Sequence, residues 1–144
     1  MSTNNKTTIA RCFIIALIIF LIGCYPFTVN ELRTSRHSGR IFFTAYSPIE
    51  DLHKAIFNRS SKCLYYESCV VAQNIEYDSL TSNITFSFTG TGAYLNIVTI
   101  DMEYIDDNQT NVKIFYAPNI NGQWQHYAEK VEEWALQQSQ DCEF

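Results

Sequence analysis

The chain has 144 residues, enough for one domain and too few for two well-packed ones. It is 47% hydrophobic and 17% charged, which excludes a disordered chain, and its 15% aromatic content leans toward β-structure with a ring-rich core. Ten Lys+Arg against fifteen Asp+Glu give a net charge of -5, which argues against a nucleic-acid binder.

The first segment is an address. Met1–Arg11 is polar and carries Lys6 and Arg11 with no acid, and Cys12–Ile22 is an apolar run that ends at Gly23 and Cys24. A basic start, a short apolar stretch and a small residue before a cut make a secretory signal peptide. The run is shorter than the roughly 20 apolar residues a membrane span wants. Leu21-Ile22-Gly23-Cys24 resembles the lipobox of bacterial lipoprotein precursors. The resemblance implies a diacylglyceryl thioether on Cys24, cleavage before it, and Cys24 as the first residue of the mature chain, often with an acylated amine. Several acyl chains at one residue give stable anchoring, because each buried methylene contributes about 0.8 kcal/mol. Tyr25 follows the cysteine where Asp would imply retention, so the resemblance places the protein at the outer membrane of a Gram-negative envelope. An ordinary signal peptide, or an uncleaved anchor over about residues 12–27, are the alternatives.

The expected organisation is a signal peptide at 1–23, a lipidated cysteine with a tether at 24–39, and an α+β domain at 40–144. Removing 1–23 takes two cations and no acid, leaving eight Lys+Arg against fifteen Asp+Glu, a net of -7. Such a body is expected to be repelled by anionic lipid and held by acyl chains alone. Residues 25–39 are polar without sustained periodicity and read as a tether; the basic cluster Arg33, Arg36, His37 and Arg40 reads as a solvated linker, with a patch for phosphate or lipid headgroups as the alternative. Three further cysteines remain: Cys63, Cys69 and Cys142. In an oxidising compartment a Cys63–Cys69 disulfide is favoured slightly, with Cys142 joining one of them as the rival pairing.

Residues 40–46 read as a strand. Ser47-Pro48-Ile49-Glu50 has the spacing of a capping box, and Ile49, Leu52, Ile56 and Cys63 repeat on one face, predicting a helix over about 48–62. Four extended segments follow at 69–77, 83–89, 93–105 and 110–117. Their period-two alternation puts Cys69, Val71, Ile75 and Tyr77 on one face of the first, Ile84, Phe86 and Phe88 of the second, Tyr94, Val98, Ile100, Met102 and Tyr104 of the third, and Val112, Ile114 and Tyr116 of the fourth. Thr85, Thr99, Asp101 and Glu103 fall on the opposite, wet face. A second helix over 122–139 carries Trp124, Tyr127, Ala128, Val131 and Ala135, with Trp134 widening the stripe. The reading is an α+β fold, β-α-β-β-β-β-α: one antiparallel meander sheet of about five strands with two helices on one face. This order resembles small helix-grip (TBP-like, START-like) domains in topology, a resemblance that implies an apolar-ligand pocket.

No catalytic motif, no phosphate-binding glycine loop and no metal-ligand spacing appear, and no cofactor is implied. His37, His53 and His126 fall on separate segments. Asp101 and Glu103 share a strand face and are the only paired carboxylates that suggest a small hydrolase; Asp106-Asp107-Asn108 reads as turn chemistry. Tyr94, Tyr104, Trp124 and Tyr127 are candidates for a ligand or partner surface, since Tyr and Trp present an apolar body with a polar tip. The expectation is therefore a non-enzymatic, lipid-anchored envelope module that binds an envelope protein partner. A carrier of an apolar ligand is the alternative, and an envelope hydrolase a more remote one.

Overall fold

The structure is a computed structural model and describes residues 28–67, 70–78, 80–88, 95–118 and 122–137. In chain order the described elements are α1 (Val29–Thr34), β1 (Gly39–Ala45), α2 (Ile49–Glu67), β2 (Val70–Tyr77), β3 (Thr81–Phe88), β4 (Leu95–Asp106), β5 (Gln109–Tyr116) and α3 (Gln123–Ala135). The fold is α+β. The five strands form one antiparallel sheet in the order β1-β5-β4-β3-β2. Strands β2 to β5 make the expected meander. The first strand joins beyond β5, pairing Ile41 with Ile114 and Phe43 with Val112.

Alternation decides which face is covered. Ile84, Phe86, Val98, Ile100, Met102, Val112 and Ile114 project from one face and are all buried. They pack against Ile49, Leu52 and Ile56 of α2 and against Tyr127, Ala128, Val131 and Trp134 of α3. Arg59 of α2 donates to the Trp134 carbonyl at 3.1 Å, adding a cationic partner to an acceptor in the last turn of α3 that also takes the Gln137 amide at 3.2 Å, and joining the two helices. Gly39 opens β1 where the Tyr116 ring lies directly over its backbone, so a β-carbon there would overlap the ring. Glycine is thus demanded by a close approach.

Three expectations are corrected. The described part of the supposed tether contains a docked helix. Thr28 caps α1 by accepting from the Glu31 amide at 3.1 Å, and the Glu31 carboxylate accepts from the Thr28 amide at 2.8 Å, closing a capping box. Leu32 is 0% exposed, and α1 lies against β4 and β5 on the face opposite the other helices. The second correction follows from the first: that face is not wet at its centre. Thr85, Ser87, Thr99 and Phe115 are buried there. Third, the capping box expected at Ser47 does not form. Helix α2 starts at Ile49, the Ser47 hydroxyl bonds the Pro48 carbonyl, and Glu50 pairs with Lys54. Proline at the cap position shifts Ser47 one residue too early to reach the first-turn amides.

Candidate functional site

The second sheet face concentrates the polar chemistry of the described residues. Asp101 of β4 accepts two hydrogen bonds from the Arg33 guanidinium, Nε at 2.7 Å and Nη2 at 2.6 Å, and a third from Asn83 Nδ2 at 2.6 Å. Asn83 also donates to Thr99 Oγ1 at 3.0 Å, and the Thr85 and Thr99 hydroxyls bond each other at 3.0 Å. Neighbouring strands therefore carry small polar side chains that satisfy one another laterally, which is how a polar surface survives burial under a helix. Arg33, Thr81, Asn83, Asp101 and Glu103 line a cleft of about 220 Å³ there, together with Ser82 and Met102.

The cleft contains the two carboxylates that suggested hydrolysis, and each is engaged by a cation. An acid–base pair needs environments that push the two groups apart, with one raised toward neutrality. Asp101 is held by a bidentate guanidinium and an amide. Glu103 accepts from Lys113 Nζ at 2.7 Å and from Asn111 at 3.3 Å, and the Lys113 ammonium holds its carboxyl below the ordinary value. Both are engaged in holding strands and α1 together.

Under α2, the buried His53 ring stacks on Phe57 with centroids 6.3 Å apart and bonds the Ser82 hydroxyl through Nδ1. Burial pushes the imidazole below its ordinary value, so the neutral form is favoured. No group of three or more His, Cys, Asp or Glu among the described residues could hold a metal ion.

The four candidate surface residues separate. Trp124 and Tyr127 are 9% and 4% exposed and stack with centroids 5.5 Å apart inside the core, which corrects their assignment to a surface. Helical spacing cannot tell a ring turned to a groove from one that fills the interior. Tyr104 is 39% exposed at the end of β4, and its hydroxyl donates to Asp107 Oδ1 at 2.9 Å. The nearby Asp107 and Asp106 charges push its phenol above the ordinary value, with hydrogen bonding to Asp107 the largest cause. Tyr94, Cys24, Cys69 and Cys142 lie outside the described residues. Cys63 is buried and disulfide-bonded, and its partner lies outside the described residues.

Sequence reading missed three of Tyr104's neighbours. The pairing of β4 with β5 shifts register between Tyr104 and Asp106, and this bulge turns Ile105 out to 47% exposure. Leu80, 61% exposed, accepts from the Tyr104 amide at 2.8 Å across the β3–β4 ladder. Tyr46, 82% exposed, follows Ala45, which pairs with the same Thr110 that faces Tyr104. Four large apolar side chains thus mark one end of the sheet over three strand spacings, roughly 14 Å. At the same end Asp78 accepts from the Leu80 and Thr81 amides, and Asp106 from the Asn108 amide. No helix among the described residues is long and apolar enough to cross a membrane.

No family model matches the chain, and no curated protein matches it significantly. Among solved structures it is similar to protein CV1439 from Chromobacterium violaceum, at 10% identity over 73% of this chain and 99% of that one, with a TM-score of 0.37. It is also similar to the Zhui aromatase/cyclase from Streptomyces sp. R1128, at 9% identity over 69% of this chain and 88% of that one, with a TM-score of 0.26. Superpositions this loose carry no argument about a ligand or a reaction.

Proposed function

We propose that this is a lipid-anchored protein of the bacterial cell envelope whose α+β body is a non-enzymatic module that binds an envelope protein. The observation that carries the binding role is the exposed end formed by Tyr46, Leu80, Tyr104 and Ile105. Isolated exposed apolar residues need no explanation, but four at one end, two of them tyrosines and one of these bonded to the Asp107 carboxylate, have the make-up of a contact surface. The anchor rests on the lipobox sequence at Leu21–Cys24, and the outer-membrane address on Tyr25.

The carrier reading requires room between helices and sheet. Trp134, Phe86, Ile84, Ile100 and Ile114 occupy that layer, each at most 1% exposed, so the described interior favours the partner reading.

Two measurements test the proposal separately. Labelling cells with a fatty acid should mark the wild-type chain and leave Cys24→Ala unlabelled; equal labelling ends the anchored reading. Pull-down from crosslinked envelopes should recover one defined protein, and the Leu80→Asp, Ile105→Asp double substitution should abolish its recovery. Recovery unchanged by the double substitution, or of no specific protein, overturns the binding role.

A further inference from the structure

Charge is segregated along the strands, which the net charge of the chain conceals. The loop Ser35–Ser38 joins α1 to Gly39, the first residue of β1, and so lies at one end of the sheet. Arg36 and His37 in this loop and Arg40 just beyond it are all exposed. Neither arginine forms an ion pair among the described residues; Arg40 only reaches the Ser35 carbonyl at 3.3 Å. The exposed carboxylates of Asp51, Asp78, Asp106 and Asp107 stand at the other end, with the β2–β3 and β4–β5 turns and the start of α2. The length of β1, roughly 20 Å, separates the ends.

The candidate anchor is close in sequence to the first described helix. Thr28 caps a docked helix, and only four residue steps separate it from Cys24 in the sequence. Fully extended, they span at most about 14 Å. A lipid on Cys24 would therefore hold the body against the bilayer, whereas a 16-residue tether would let it roam about 50 Å.

Resting on the anchored reading above, we infer that the Arg36–His37–Arg40 loop lies on an anionic phospholipid surface and stands the domain on the membrane with its acidic, aromatic end pointing away. The chemistry is that of a juxtamembrane basic segment, whose attraction to anionic headgroups adds to the acyl chains and acts within a Debye length. In this orientation the exposed carboxylates of Asp51, Asp78, Asp106 and Asp107 stand away from the acidic membrane, which lessens the repulsion expected of an acidic body. The same orientation leaves Tyr46, Leu80, Tyr104 and Ile105 clear for a partner.

The test uses the full mature chain, with its lipid verified by intact mass, in vesicles of phosphatidylcholine alone or mixed with phosphatidylglycerol. A photo-crosslinking residue replaces His37 in one preparation and Asp107 in another. Capture of phospholipid at position 37 and not at 107, enhanced by phosphatidylglycerol, supports the inference. The Arg36→Glu, Arg40→Glu double substitution should lower that capture about tenfold or more with the circular dichroism spectrum unchanged. Equal capture at both positions, capture indifferent to the two arginines, or capture of an acidic protein in place of lipid overturns it. Absence of lipid mass on Cys24 instead overturns the anchored reading, and this one with it.

Discussion

Arg33, in the last turn of a six-residue helix, grips both carboxylate oxygens of Asp101 on β4, fastening the start of the folded chain to the middle of its sheet. The pair is partly open to water, so its net contribution is that of a good bidentate bridge discounted for screening. Arg33→Ala should destabilise by about 1–2 kcal/mol in urea denaturation, and a double-mutant cycle with Asp101→Ala should return a coupling of about 1 kcal/mol. Additive effects would show that the two residues act separately.

Leu32 discriminates a docked helix from a tether. Truncating a side chain with no exposure removes transfer energy and leaves a cavity, so Leu32→Ala should cost about 2–4 kcal/mol. On a free tether the same change would lie within about 0.5 kcal/mol. The midpoint of a urea titration reads the difference.

Gly39 and Tyr116 should be coupled in the opposite sense. Gly39→Ala forces the Tyr116 ring off the strand and should cost about 1–3 kcal/mol, as overpacking does. In a Tyr116→Ala background, where the ring is absent, the same substitution should cost clearly less. Thermal unfolding of the four proteins of the cycle would show it.

His53 sets a pH dependence whose direction follows from its burial. Its imidazole is held below the ordinary 6.5 in the folded protein, so the unfolded chain takes up the proton first as pH falls. Stability should be fully present above about pH 6.5 and decline below it, by at most about 1.4 kcal/mol per pH unit. His53→Gln should flatten the profile between about pH 7 and 5. Glu103 and Asp78 are also held low, from ordinary values of 4.5 and 3.8. Their stabilisation is present above those values and lost as pH falls beneath them, so the two windows separate.

The legible parts of the fold were those with long, clean periodicity. Alternation from Ile84 through Ile114 located the covered sheet face, and the Ile49, Leu52, Ile56 and Cys63 repeat located the inner face of α2. What failed was short or irregular. Helix α1 has six residues and one buried side chain, too little for a period to register; its available signal was the Thr28-x-x-Glu31 capping pattern. Bulges at Ile97 and Ile105 add a residue that a strict period of two cannot represent, which is why both isoleucines fell out of the alternation. The apolar end was invisible for another reason: Tyr46, Leu80 and Ile105 are far apart in the chain, and only strand register brings them to one end of the sheet. Asp101 and Glu103 were correctly placed on one face, but sequence gives no hint that Arg33 and Lys113 neutralise them.

Strand β1 reaches its partner only at the far side of the meander, where Ala45 meets Thr110 and Gly39 meets Tyr116. The first strand therefore emerges long before the one that receives it. Local hairpins from β2 to β5 can assemble early, but seating β1 closes a large loop and is entropically the late step. Until β5 has emerged, β1 has no strand to join, and its seating waits on residues more than sixty positions further along the chain.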